Sequence, residues 1–320
     1  MKQIRKSISF SFTTKVHLTS YILQKITWTM KKFSIKDLEA LSGIKAHTLR
    51  AWEHRYDFIK PQRTDANFRY YTPAELKQLL DIVLLNKNGH KISQLARLDA
   101  AAIEERISRL PGREDKKQRA LNELLVSMYT LKTETFEETL EQCTASWPVK
   151  EVMQDIIFAF LKRIGLLWCG SRLIEEHFAV TAIRKKLIAG IDTLRSVPLH
   201  QRCVLLFLPE GRQLDLGLLY THYLLKQHGL HILYMGSDVS IDNLKEVLAY
   251  KHPQYLFTYL PQKHRFRYDE LATSMKEQVP NARLIVATYP GRHAARGHRD
   301  QLLNMEYEDA LHYLMQEEVQ

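Results

Sequence analysis

Side chains suited to contacting a nucleic acid are concentrated between Lys45 and Tyr71. A helix predicted from about Ala46 to Tyr56 turns Leu49 and Trp52 inward by the 3.6-residue period. Its opposite face carries Lys45, His47, Thr48, Arg50 and Arg55. Cationic and hydroxyl groups on one helix face suit the major groove of DNA. A solvated basic helix face would show the same pattern, so the neighbouring segment decides between the two interpretations.

That segment, RTDANFRYY from Arg63 to Tyr71, predicts a short hairpin or wing. Asp65-Ala66-Asn67 supplies its turn, and Asn67 suits a left-handed backbone conformation. Arg63 and Arg69 can reach phosphates, while the phenols of Tyr70 and Tyr71 can donate to phosphate oxygens. Such a wing would fix the position of the protein on DNA more than it would select a base sequence.

Helix signals on both sides complete two helix-turn-helix elements. Ser34 and Asp37 form a predicted capping box, and Ser34 is also counted among the DNA-binding candidates. Gly43 supplies a tight turn before the second helix. A third helix is predicted to begin after Thr72, with Pro73 in its first turn and Glu75 completing a second capping box.

The order of these residues resembles the DNA-binding domain of the MerR family. The matching motifs are Ser34-Ile35-x-x-Leu38, Ser42-Gly43-Ile44, Thr48-Leu49-Arg50-x-Trp52-Glu53-x-Arg55-Tyr56, Pro61-x-Arg63 and Phe68-Arg69-Tyr70-Tyr71. They lie between Ser34 and Tyr71, within a resemblance that covers about 70 residues, and are highly specific. Two positions depart from the family pattern: Asn67 replaces a glycine, and Lys45 replaces a capping serine, which weakens the start of that helix.

Basic charge is confined to the N-terminal third. Residues 31–98 carry 13 Lys plus Arg against 7 Asp plus Glu, and residues 1–29 add five basic residues and no acidic one. Because the whole chain has a formal net charge of +10, the residues after 98 sum to about −1. This distribution is the one expected of a DNA-binding domain joined to other domains.

Length and composition bound the rest of the chain. Its 320 residues, 45% of them hydrophobic, indicate two or three globular domains. It contains no run of about 18 apolar residues, so no membrane partner is expected. Cys143, Cys169 and Cys203 are widely spaced and show no metal-ligand pattern, which favours a reduced, cytoplasmic setting and no metal site.

We divide the chain into six segments. Residues 1–30 lack the continuous apolar core of a signal peptide. Because MerR-like domains begin shortly before their first helix, we interpret these residues as a disordered arm or an extension from a mis-called start codon. The DNA-binding domain is expected over 31–110, followed by a charged linker over 111–117, a helical bundle over 118–196, an α/β domain over 197–305 and a C-terminal helix or tail over 306–320.

Hydrophobic periodicity supports the two C-terminal domains. Four helices, the third running to Trp168, suggest a four-helix bundle. From Cys203, short apolar runs alternate with helical segments, which predicts a doubly wound parallel α/β domain of the Rossmann or flavodoxin-like kind. The predicted strands are CVLLFLP, HILYMG, YLFTYL and LIVATY. A ligand crevice would lie at their carboxyl ends, near 210–213, 236–239 and 260–264.

A bundle and an α/β domain behind a MerR-like domain resemble the cobalamin-binding module of light- and cobalamin-responsive MerR repressors. The motifs that carry this resemblance are Ile164-Gly165-x-x-Trp168, Glu176-His177-Phe178, Pro209-Glu210-Gly211, Leu216-Gly217-Leu218 and Gly236-x-Asp238-Val239. The resemblance implies that Trp168, Glu176 and His177 correspond to residues that cover the upper face of the corrin.

Three departures from that pattern argue against binding of the cofactor. Leu214 stands where the resemblance places the cobalt-ligating histidine, and leucine has no lone pair for a metal. Seven residues instead of nine separate Trp168 from Glu176, which shifts the cap over the corrin. Tyr289-Pro290 replaces a Gly-Gly pair that would admit the nucleotide tail.

The sequence therefore predicts a cytoplasmic transcriptional regulator that binds a pseudo-palindromic operator in double-stranded DNA as a homodimer or tetramer. Its degenerate cobalamin-binding-like half would serve oligomerisation or the sensing of an unidentified signal, with no cofactor expected. A cobalamin-dependent, light-responsive regulator is the alternative, and a corrinoid-binding enzyme component is a more remote one. No catalytic residues are predicted, because neither the histidine loop nor a dinucleotide-binding G-x-G-x-x-G motif is present.

Overall fold

A computed structural model describes residues 32–56, 58–165, 174–194, 202–211, 215–259, 268–288 and 301–316. The described residues up to Ile107 form one compact unit, and those from Ser108 onward form a second. Within these ranges no helix combines the length and the apolar character needed to cross a membrane. Trp168, Leu214 and Tyr289, as well as residues 1–31, lie outside the described residues.

The first unit contains five helices and a two-stranded hairpin in its described part. They are α1 (Ile35–Ser42), α2 (Ala46–Arg55), β1 (Gln62–Arg63), β2 (Arg69–Tyr70), α3 (Pro73–Lys87), α4 (Ile92–Leu95) and α5 (Ala100–Ser108). The structure confirms both capping boxes, at Ser34 and at Thr72. It also confirms positive φ angles of 76° at Gly43 and 64° at Asn67. The predicted winged helix-turn-helix is therefore present.

The start of α2 is capped by a neighbouring helix. Lys45 occupies the N-cap position and makes no side-chain cap hydrogen bond, because a lysine ammonium cannot accept from a backbone N–H. Instead, one Glu39 carboxylate oxygen accepts from the Ala46 N–H at 3.1 Å, and the other pairs with the Lys45 ammonium at 3.1 Å. Lys45 and the Ala46 N–H together lower the pKa of Glu39. This contact joins the two helices across the turn.

The second unit begins with the predicted bundle. Its helices are α6 (Arg113–Tyr129), α7 (Thr133–Ser146), a continuous rod of α8 (Val149–Glu151), a π-helical segment (Val152–Ile157) and α9 (Phe158–Arg163), and α10 (Ile174–Thr193). The chain breaks at Trp147-Pro148 as predicted. Phe136 lies between Phe160 and Phe178, with ring centroids 5.8 and 4.9 Å away, at the centre of the bundle.

Two predicted boundaries in this region need correction. Residues 113–117 are the first turn of α6 and not part of a linker, because buried Lys117 pairs with Glu114, Glu151 and Asp155 at 2.7 to 2.8 Å. These carboxylates, Asp155 first, raise the pKa of Lys117. The third bundle helix ends at Arg163 and does not continue to Trp168, because Gly165 adopts a φ of 74°, a conformation that ends helices.

The α/β part of the unit is a five-stranded parallel sheet. Its strands are β3 (Cys203–Pro209), β4 (His231–Val239), β5 (Tyr255–Tyr259), β6 (Arg283–Thr288) and β7 (Leu302–Glu306), in the spatial order β4-β3-β5-β6-β7. Strand β7 was not predicted, because its sequence LLNME lacks β-branched residues and alternation. The order confirms a doubly wound, flavodoxin-like sheet, with the reversal of strand order between β3 and β5.

Helices cover both faces of this sheet in the described ranges. On one face, α12 (Ile241–Tyr250) and α13 (Tyr268–Gln278) share an apolar core with residues such as Leu205 and Leu256. On the other face lie α11 (Leu216–Gln227) and α14 (Tyr307–Gln316). The bundle packs on this second face, where the Phe158 ring meets Tyr220 edge-on at 5.1 Å. The bundle and the sheet therefore form one unit.

The aromatic centre of the bundle gives a stability prediction. Phe136→Ala should lower the free energy of unfolding by about 3–5 kcal/mol, because it empties a fully buried site between two rings. Chemical denaturation of the full chain, followed by circular dichroism, measures this loss. Ile188→Ala is the control, since Ile188 is 43% exposed and should change stability by less than about 0.5 kcal/mol. Equal losses for the two variants would contradict the packing described.

Candidate nucleic-acid interface

The predicted groove-facing residues lie on α2 and at its N-cap. Four of the five are exposed, namely Lys45, His47, Arg50 and Arg55. The fifth, Thr48, is half-buried. The opposite side of the helix is anchored by Leu49, which is 1% exposed. Trp52 is half-buried, with its ring centroid 6.0 Å from that of Phe58. Exposed cationic groups therefore accompany a buried apolar anchor on this helix, and their contact with a DNA groove stays a prediction.

The two wing arginines lie directly opposite each other across the hairpin. Arg63 pairs in register with Arg69, and both side chains are exposed. Arg63 donates from Nη1 to Asn67 Oδ1 at 2.6 Å, and Arg69 Nη1 lies 3.9 Å from the Glu53 carboxylate. Like charges directly opposite in a hairpin are destabilising. An anion bound at this pair would relieve that repulsion.

Tyr70 lies on the other face of the hairpin and is half-buried. Its hydroxyl donates to Gln62 Oε1 at 2.9 Å, and the Lys32 ammonium lies 4.6 Å from the ring centroid. The phenolic proton is therefore already used within the hairpin. The Lys32 ammonium above the Tyr70 ring gives this second face of the hairpin a positive charge as well.

Tyr71 requires a correction, because the structure buries it. The side chain is 2% exposed, and its hydroxyl donates to Glu53 Oε1. Its backbone N–H and C=O each bond with Phe33 at 2.9 Å. Burial first, and Glu53 second, raise the pKa of Tyr71. Strand alternation turns position 71 toward α2, so this phenol supports the wing from inside and cannot also donate to a phosphate.

Glu53 is the residue that sequence reasoning missed. Its side chain is 8% exposed and joins the recognition helix to the wing through Tyr71 and Arg69. The sequence contained one signal of this role: Glu53 is the single carboxylate in the basic helix α2. Ser34 is placed at the edge of the same unit, where its Oγ accepts from the Asp37 N–H at 3.2 Å. Its oxygen therefore serves the helix cap.

The residues proposed for a corrin face are only partly described. Glu176 is buried at 6% exposure near the start of α10, whereas the adjacent His177 is exposed. Trp168 and Leu214 lie outside the described residues. In the described part of the chain, no group of three or more His, Cys, Asp or Glu side chains is arranged to hold a metal ion.

A polar cluster joins the bundle to the sheet beside position 214. Arg184 on α10 pairs with Asp215 at 2.7 Å, and the Tyr234 hydroxyl donates to the same carboxylate at 3.4 Å. The His222 ring stacks on Tyr234, with centroids 5.2 Å apart. Burial, with a smaller contribution from Lys226, lowers the pKa of His222 to about 4, so this imidazole is neutral near pH 7.

The loop that follows β3 is tied to the end of β4. The Glu210 N–H donates to the Val239 carbonyl at 3.1 Å, and the Gly211 N–H donates to Asp238 Oδ1 at 2.7 Å. Asp238 has a φ of 64°, a conformation that few non-glycine residues adopt. The Gly236-x-Asp238-Val239 motif thus has a structural role at the carboxyl edge of the sheet.

These features are those of a winged helix-turn-helix domain followed by a helical bundle and a doubly wound parallel sheet. Residues 33–102 match the model of the MerR HTH family regulatory proteins. The chain is similar to the HTH-type transcriptional repressor CarH of Myxococcus xanthus, with 23% identity over 280 residues, which cover 84% of this chain and 91% of CarH. The repressor CarA of the same organism is 26% identical over 206 residues, covering 64% and 68% of the two chains.

The fold of the second unit also has a solved counterpart. The monomethylamine corrinoid protein of Methanosarcina barkeri superposes with a TM-score of 0.50, covering 62% of this chain and 98% of its own at 14% identity. At that identity the similarity concerns the fold alone. It confirms the predicted combination of a helical bundle with a doubly wound parallel sheet.

The contact between Glu53 and Tyr71 can be measured by a double-mutant cycle. Tyr71→Phe and Glu53→Leu should each destabilise the first unit, and their coupling energy should be about 1.5–3 kcal/mol, because either change removes the hydrogen bond to the carboxylate. Thermal and urea unfolding of the full chain give the four free energies. Additive losses, with a coupling below about 0.3 kcal/mol, would show that the two side chains do not interact.

Proposed function

We propose that the first unit binds double-stranded DNA, with α2 in the major groove and the hairpin on the flanking backbone. The observation that carries this proposal is the fixed arrangement of two exposed cationic groups, on α2 and at the Arg63–Arg69 pair, joined through Glu53. The two wing arginines carry like charges at directly opposite positions of the hairpin, and a bound phosphate would offset their repulsion. A basic surface that only contacts solvent would not require a carboxylate such as Glu53 to hold its cations in place.

The contacts divide into two kinds. Base edges would be met by Lys45, His47, Thr48 and Arg50, with Arg55 near the end of α2. Arg63 and Arg69 would hold phosphates, with Tyr70 and Asn67 shaping the hairpin around them. Ser34 and Tyr71 serve as supports. Base contacts would select the sequence, and phosphate contacts would give affinity and its dependence on salt.

The second unit would hold two or more DNA-binding units together, as a homodimer or tetramer. A helix-turn-helix protein reads a pseudo-palindrome through two copies about one helical turn apart, which requires a fixed connection between protomers. CarH and CarA are named as transcriptional repressors, and their similarity to this chain extends into the second unit. Oligomerisation, or sensing of a signal that changes it, is thus the role we infer for this half, in a cytoplasmic protein without catalytic activity.

A cobalamin-dependent regulator is the second candidate, because the second unit has the fold of a corrinoid protein. The sequence supplies leucine at 214, where a metal ligand would be needed, and the Arg184–Asp215 pair lies at the adjacent position. We therefore infer that this chain does not hold cobalamin through a lower histidine. A light-responsive form or a corrinoid-dependent enzyme would require that cofactor.

Selection from a random duplex library, followed by fluorescence anisotropy on the selected duplex, tests DNA binding directly. We expect a specific site with two inverted half-sites, and a dissociation constant at least about a thousandfold below that for a random 30-base-pair duplex. If selection yields no enriched sequence and affinity is equal for all duplexes, the proposed function is wrong.

Arg69→Ala gives a prediction about the wing. This variant should weaken binding to specific and random duplexes by similar factors. It should reduce the slope of log affinity against log salt by about 0.9 for each bound protomer, or about 1.8 for a homodimer, because each protomer loses one phosphate contact. Lys251→Ala, which removes an exposed cation in the second unit, is the matched control and should leave the slope unchanged. An unchanged slope for Arg69→Ala would remove the wing from the interface.

Substitutions on α2 should act differently. His47→Ala and Thr48→Ala should relax the preference at one or two base pairs of each half-site, with discrimination falling by about 1–3 kcal/mol, because base-edge contacts are lost. Repeating the library selection with each variant measures this change. A uniform loss of affinity with an unaltered site preference would mean that these residues contact only the backbone.

A further inference from the structure

The reversal of strand order places the potential ligand crevice of the α/β domain between the ends of β3 and β5. Ligands of doubly wound sheets bind outside the carboxyl ends of strands at this point. Here β5 ends with Tyr259, and α11 begins at Leu216 after the loop from β3. The first turn of α11 contains Gly217, the glycine of the motif in which Leu214 replaces histidine. The side chains at this point therefore decide what can enter.

Tyr259 crosses from the end of β5 to the backbone of Gly217. A Cβ atom at position 217 would lie 3.0 Å from both the hydroxyl and Cζ of Tyr259. Contacts of 3.0 Å to a Cβ are tighter than ordinary van der Waals distance, so the phenol fills the space that the glycine leaves. Tyr259 is 5% exposed. The tip of the ring is thus enclosed between the strand end and the helix.

We propose that Tyr259 is a built-in plug, which closes the crevice of this domain to a corrinoid or nucleotide-like ligand. The proposal rests on the proposed function, in which the second unit serves oligomerisation or the sensing of a signal, and it goes beyond the replacement at Leu214. Two obstacles then act in series: one removes the metal ligand, and the other occupies the space. Restoring a histidine at 214 would not by itself restore binding.

The surroundings hold the plug in place. One turn after Gly217, Thr221 Oγ1 lies 2.7 Å from the hydroxyl of Tyr307, which is 3% exposed. The ion pair of Arg184 with Asp215 fastens the bundle helix to the start of α11. The helix start against which Tyr259 packs is therefore held by a hydrogen bond and by an ion pair between elements. A ligand would have to displace packed side chains to reach the sheet.

Hydroxocobalamin retention tests the proposal with four full-length proteins: wild type, Leu214→His, Tyr259→Gly and the double variant. Each is incubated in the dark, passed through a gel-filtration column and scanned for visible absorbance. We expect no retention by the wild type, and at least about tenfold tighter binding by the double variant than by Leu214→His. Stoichiometric retention by the wild type, or equal binding by Leu214→His and the double variant, would overturn the proposal.

A phenol-sized probe covers the case in which none of the four proteins retains hydroxocobalamin. Tyr259→Gly should lower Tm, and millimolar 4-methylphenol should raise it again, because the probe refills a preformed space. Tyr259→Phe, which keeps the ring, is the control and should show no such rise. If 4-methylphenol fails to stabilise Tyr259→Gly, the plug does not exist. Duplex binding by the wild type is measured separately, so failure of DNA binding leaves this result intact.

Discussion

The carboxylate of Glu53 is the contact on which the DNA-facing geometry depends. It lies between two cationic elements, the exposed face of α2 and the Arg63–Arg69 pair, which would otherwise repel each other in the free protein. By accepting from Tyr71 and pairing with Arg69, it fixes the hairpin beside the recognition helix. The position of the wing is therefore set before any DNA is bound, which lowers the entropic cost of binding.

An acidic side chain also supports the start of α2. The helix lacks a capping side chain of its own, and Glu39 from α1 supplies both a cap for Ala46 and a counterion for Lys45. Lys45 can then point outward at the helix end without leaving the helix start unsatisfied. Acidic residues in this basic domain thus act as internal supports. The outer surface is left to the cations.

Local signals allowed much of the fold to be predicted. Capping boxes at Ser34 and Thr72, and left-handed turns at Gly43 and Asn67, depend on neighbouring residues and were confirmed. The errors arose where distant residues decide. Lys117 was predicted to lie in a charged linker, but its ammonium pairs with the carboxylates of Glu151 and Asp155, which are distant in sequence. Tyr71 was predicted to contact phosphate, because its own segment does not show that its hydroxyl donates to Glu53 on another element. Strand β7 depends on β6 beside it.

The C-terminal half combines the fold of a corrinoid protein with side chains of its own at the carboxyl edge of the sheet. Its sheet order and bundle are those of a corrinoid protein. At the carboxyl edge, however, its own side chains meet: Tyr259 covers Gly217, and Arg184 binds Asp215. The apolar core does not depend on these positions, so they can change while the fold persists. In the proposed function, the same unit brings two DNA-binding domains together.

The most direct test of the account is chemical footprinting of the full chain on its selected duplex. Dimethyl sulfate modifies guanine N7 in the major groove, and ethylation of phosphates reports backbone contacts. The account predicts two inverted patches of N7 protection about one helical turn, or a multiple of it, apart, each flanked by phosphates whose ethylation prevents binding. Binding without N7 protection, or with a single unflanked patch, would contradict it.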